Sequence, residues 1–125
     1  MNPEENLAAA YIRYFVSKSA EDFWAFEDID QLTKNDPKAA WSLTKLMIAT
    51  APSDEAIAYI AAGPLEDLLK RNGPKVIDEI EHSTREDEDL QFAMCCVWID
   101  QKFPVCSRVH ELIREFGPRL KARLA

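Results

Sequence analysis

The side chains able to do chemistry are few, and their spacing limits what they can do. Asp78 and His82 stand four residues apart with Glu79 and Glu81 beside them. On a helix, that spacing puts a carboxylate and an imidazole on one face, where they could offer two ligands to a divalent ion. Metal sites draw more than two ligands from defined spacings, and surface helices commonly carry such charges, so a solvent-facing role is favoured. His110 has Arg108 and Glu111 as neighbours and no cysteine or serine pattern to serve. The adjacent thiols Cys95 and Cys96 are flanked by Phe92, Met94, Val97 and Trp98. Apolar surroundings raise a thiol's pKa and leave it inert, so core packing is expected there. Cys106, beside a basic helix, is expected to be the more reactive thiol, with no redox motif around it.

Carboxylates are abundant, as Glu21-Asp22, Glu27-Asp28, Glu66-Asp67, Asp78-Glu79 and the run Glu86 to Asp89. Acid/base catalysis needs two that face one substrate. Sequence neighbours on a helix diverge by about 100°, so these pairs do not. Glu66 and Asp67 follow Pro64 in what reads as a first helical turn, where carboxylates stabilise the dipole. The segment Phe23, Trp24, Phe26 with Glu27, Asp28 and Asp30 is different in kind. Aromatic rings beside acids can anchor a basic partner while the carboxylates guide encounter. The competing reading, favoured for any aromatic stripe at helical spacing, is that the rings fill the core. The candidate protein-binding residues are thus Trp24, Glu27, Asp28, Asp30, Glu66 and Asp67; no catalytic residue, metal ligand or cofactor is assigned.

The elements that must position these residues all read as helices. Asn2 before Pro3, Glu4 and Glu5 starts one that should run to about Lys18, with Leu7, Tyr11, Tyr14 and Phe15 on its inner face. Ser19 and Asp22, at capping-box spacing ahead of Phe23, open a second over 20–34. Asp36-Pro37 opens a third, largely buried, through about Ala51, and Pro52-Ser53-Asp54-Glu55 opens a fourth. Gly63-Pro64 and Gly73-Pro74 each read as a helix end followed by a helix start, giving three short pieces that turn sharply against each other. After a charged connection over 83–89, a helix over 89–99 is apolar on nearly every side, with Trp98 in one stripe, and belongs in the centre. Beyond Phe103-Pro104, an amphipathic helix from Val105 to Leu120 should bend at Gly117-Pro118. The expected fold is all-α, a compact irregular bundle of about seven short helices, with HEAT-like helix-pair stacking as the second arrangement.

A chain of 125 residues with only 3 glycines suits one helical domain over 1–125 with its own core. Three cysteines make no disulfide framework, the acidic amino terminus is no secretory signal, and no apolar run spans a membrane. A cytoplasmic location follows. Net charge is −7, against binding nucleic acid through its phosphates. Residues 1–101 carry 9 basic and 20 acidic side chains, whereas residues 102–125 carry 6 basic and 2 acidic. The basic carboxyl-terminal helix is either an internal complement to an acidic body or a second surface.

The segments Trp24 to Asp30, Asp36 to Trp41, Ala51 to Glu55 and Ala58 to Leu69 carry a resemblance, strongest in Ala-Ala-Gly-Pro-Leu-Glu-Asp-Leu-Leu. Together they resemble a family of small bacterial all-helical proteins of unknown function with the motif AYxAAGPLEDLL. The resemblance implies a helical fold and a bacterial or phage setting, and it transfers no activity. Composition and motifs then rank three functions. First is a non-enzymatic protein-binding module, an acidic adaptor or inhibitor such as a toxin-neutralising immunity protein, whose partner offers a basic surface. A small metal- or carboxylate-dependent enzyme is the alternative. A DNA-mimic regulator comes third.

Overall fold

Polar residues mark where most of the helices begin, and a computed structural model, which describes residues 2–124, shows six helical bodies. No strand occurs among the described residues. Helix α1 spans Pro3–Ser17. The Asn2 side chain accepts from the Glu5 N–H at 2.8 Å while the Glu5 carboxylate accepts from the Asn2 N–H at 3.4 Å, a reciprocal cap. Lys18, in the left-handed region at φ 56°, ends the helix. One 3-10 turn leads into α2, Phe23–Asn35. Asp36 caps α3, Pro37–Thr50, and Ser53 caps α4, Asp54–Ile60, each side chain accepting a backbone N–H three residues on.

The Gly-Pro junctions do not separate three pieces. Pro64 has no N–H to donate, and its ring would crowd the carbonyl of Ile60 in a regular helix. The backbone widens instead: Ala61–Leu65 forms a π turn, from which the Glu66 N–H reaches back to the Ala61 carbonyl. The chain continues directly into α5, Glu66–Arg85. At the second junction only Asn72 leaves helical geometry (φ −141°, ψ 25°), so the helix kinks without ending. The Asn72 amide donates to the carbonyls of Thr33 and Lys34 at 2.7 and 3.1 Å, fastening the kink to the last turn of α2. Gly73 beside it lies against Val105 so closely that a Cβ would come within 2.7 Å of a Val105 methyl.

Helix α6 spans Glu88–Cys95 and is capped by Asp87. It ends short of Ile99, where the apolar pattern would have carried it. From Val97 to Ile99 burial alternates, with Val97 and Ile99 inside and Trp98 outside at 75 % exposure. Three backbone N–H groups fix this exit: those of Cys96 and Val97 turn back onto the Ala93 and Met94 carbonyls, and that of Trp98 donates to the Glu66 carboxylate at 2.6 Å. Helix α7, Cys106–Phe116, tightens into a 3-10 turn at Gly117–Leu120 and continues into α8, Lys121–Leu124.

One cluster of buried side chains draws on every helix from α1 to α7, including Tyr11, Ile29, Trp41, Ile60, Leu68, Met94 and Leu112. The expected burial of α3 holds, with Trp41, Leu43, Met47 and Ile48 all inside. Helix α2 packs on α5, and α3 packs on both α5 and α6. A solenoid repeat touches only its sequence neighbours, so these contacts define the compact bundle.

Candidate protein-binding face

Helix α2 turns Ala25, Ile29 and Thr33 inward, an i, i+4, i+8 series that occupies its whole buried face. The rings therefore point elsewhere. Phe23, Trp24 and Phe26 are 42 %, 44 % and 42 % exposed, so the expectation that they fill the core is corrected. Phe23 and Phe26 stack at 5.6 Å between centroids, and Tyr14 of α1 meets Phe23 edge-on at 5.8 Å. Val16 on α1 is exposed as well. Glu27 and Asp28 are exposed on the same helix and enter none of the ion pairs its residues form among the described residues.

The other three candidates are placed differently. Asp30 is held by Arg71 at 2.7 Å and Lys34 at 3.1 Å; chiefly through the Arg71 hydrogen bond, its carboxyl sits below the usual carboxylate range. Arg71 also donates to the Thr33 hydroxyl at 2.8 Å, so Asp30 ties α2 to α5 and is not free for a partner. Asp67 faces a narrow crevice shared with Tyr11, Phe26, Asp30 and Pro64. Burial pushes both the Asp67 carboxyl and the Tyr11 phenol up. Gly63 keeps that crevice tight, since a Cβ there would lie 3.0 Å from the Tyr11 hydroxyl. Glu66 accepts the Trp98 N–H and pairs with Lys70 at 3.6 Å. Capping does not explain Glu66 and Asp67, because the π turn leaves no helix start at that point. Trp24, Glu27 and Asp28 thus share the outer face, Asp30 and Asp67 line the crevice beside Phe26, and Glu66 serves the loop after α6.

The remaining chemistry is engaged or dispersed. Arg108 pairs with Asp78 at 2.7 Å and with Glu81 at 2.9 Å, which occupies the carboxylate expected to join His82. Among the described residues no three His, Cys, Asp or Glu side chains gather around one metal position. Cys95 and Cys96 are half-buried, and burial pushes both thiols up. Cys106 is buried, at 7 % exposure, which corrects its reading as the reactive thiol. Its sulfur lies 3.7 Å from Nδ1 of His110, so His110 does have a cysteine partner; the i, i+4 spacing was the overlooked signal.

Part of the basic carboxyl-terminal segment is an internal complement to the acidic body. Arg123 reaches Asp54 at 2.9 Å, Asp89 at 2.7 Å and Glu88 at 3.3 Å, with its guanidinium 4.4 Å from the Phe92 ring centre. Arg108 and Arg123 therefore complement the acidic body. Lys102, Arg114, Arg119 and Lys121 make no ion pair among the described residues. No helix among those residues is long and apolar enough to cross a membrane.

Fold and site together define an all-α bundle with an aromatic and acidic face on its second helix. The chain belongs to DUF6869, a family of unknown function that matches residues 15–116, a stretch holding all six candidate residues. No curated protein and no solved structure matches it.

Proposed function

We propose that this protein is a non-enzymatic binding module of one domain, an acidic adaptor or inhibitor of the kind represented by toxin-neutralising immunity proteins, acting in a bacterial cytoplasm. The observation that carries this reading is the outer face of α2: Phe23, Trp24 and Phe26 stand exposed beside Glu27 and Asp28, which pair with no cation among the described residues. Clustered exposed rings mark interaction sites, and aromatic anchors carry most of the energy where proteins meet. The unpaired acids select the partner's sign, so the complementary surface is basic. A reducing compartment suits the three free thiols. The metal-enzyme alternative is weakened by Arg108, which engages Asp78.

The test compares the wild type with Trp24→Ala and with the double variant Glu27→Lys/Asp28→Lys in affinity capture from the native host, followed by titration of the recovered partner. Loss of a central aromatic anchor should cost about 2 kcal/mol or more. The charge reversal should slow association and remove its dependence on salt. Unchanged affinity in both variants, with helicity intact, would overturn the assignment of this face.

A further inference from the structure

A groove of about 440 Å³ lies between the 101–107 segment and α7, remote in sequence from the α2 face. Its size is that of a small-ligand site. Its charge is what sets it apart: the chain holds 22 acidic and 15 basic side chains, yet among the described residues no acid lines this groove, while Lys102, Arg114 and His110 do. Lys102 and Arg114 make no ion pair among the described residues, unlike Arg108 and Arg123 of the same segment. On α7, Cys106, His110 and Arg114 follow one another at intervals of four and so share one face. The buried Cys106 sulfur, 3.7 Å from Nδ1, seats the imidazole at the groove wall.

Two further features fit the same ligand. No side chain caps α7 at Val105, and the exposed Ser107 in its first turn lines the groove with a hydroxyl donor. The Phe103 ring, with the Lys102 ammonium 5.3 Å from its centre, forms an apolar wall beside the cations. Two cations along one groove, a hydroxyl donor and a flanking ring suit a compact, highly charged oxyanion joined to an organic body. We propose that this groove binds the phosphate group of a small phosphorylated molecule, with Lys102 and Arg114 as its charge partners and Phe103 against its organic part.

Titration calorimetry of the full chain with inorganic phosphate and with phenyl phosphate, at matched ionic strength in chloride, tests this. Saturable binding of both is expected, tighter for phenyl phosphate, and at least ten-fold weaker in Lys102→Ala/Arg114→Ala. The double variant Arg119→Ala/Lys121→Ala removes the same charge outside the groove and should bind as the wild type does. Thermal melts of the four residues' variants confirm folding, since all four side chains are exposed. Absence of saturable phosphate binding, or equal losses in the two double variants, would overturn the proposal.

Discussion

At Gly73 a single hydrogen decides the packing between α5 and the segment entering α7. An added Cβ would sit 2.7 and 2.9 Å from the two methyls of Val105, a buried and β-branched side chain that cannot rotate away. Alanine in a helix interior is favoured over glycine by about 1 kcal/mol, and overpacking a core costs about 1 to 3 kcal/mol. Gly73→Ala should therefore lower stability by up to about 2 kcal/mol in urea unfolding. In Val105→Ala the obstruction is gone, and adding Gly73→Ala should cost nothing or stabilise. A double-mutant cycle reads this as a coupling of at least about 1 kcal/mol. Additive effects would mean that Gly73 matters only for the Asn72 kink. Gly63 makes the milder case, because what its Cβ would meet is the far end of Tyr11 rather than a branched core side chain.

At the scale of elements, helix starts were legible because capping is local: Asn2, Asp36 and Ser53 each accept an N–H from their own first turn. Helix ends were less so. Gly63-Pro64 reads as a break because proline forbids a regular α turn, but a π turn removes the conflict without stopping the helix. Trp98 fits a helical stripe by periodicity, yet its position is set by Glu66, a residue 32 positions away that no local pattern connects to it. The same limit applied to the candidate site. The segment Phe23 to Asp30 was legible as rings among acids, whereas its exposure depended on Ala25, Ile29 and Thr33 taking the inner face, and the commitment of Asp30 depended on Arg71. The Glu66 contact can be tested directly. Glu66→Ala leaves the Trp98 N–H without its charged acceptor and should cost about 1 to 2 kcal/mol, while Glu66→Gln keeps an acceptor oxygen and should lose less than half of that. Hydrogen exchange at Trp98 should accelerate in the alanine variant ahead of the helices. Uniform acceleration throughout α5 would instead place the role of Glu66 in that helix.

For the whole molecule, the carboxylates set how stability responds to acid, and two of them act in opposite directions. Asp54 at the start of α4 bonds Arg123 of α8, which holds its carboxyl below the usual range. A lowered folded pKa adds stability at neutral pH that is lost as pH falls through that pKa. Asp67 is pushed up by burial, so its charged form opposes folding; the stability it allows is complete in acid and is lost as pH rises through the raised value. Asn at either position mimics the protonated side chain. Asp54→Asn should therefore melt below the wild type at pH 7, and Asp67→Asn above it. Both differences should vanish in acid, that of Asp67 at a higher pH than that of Asp54, because their pKa values lie on opposite sides of the ordinary 3.8. Thermal melts of the three proteins from pH 7 down to about 2.5 would trace the two difference curves. An Asp67→Asn variant less stable than wild type at pH 7 would show that its carboxylate is stabilised in the crevice, by a partner that its static surroundings do not supply.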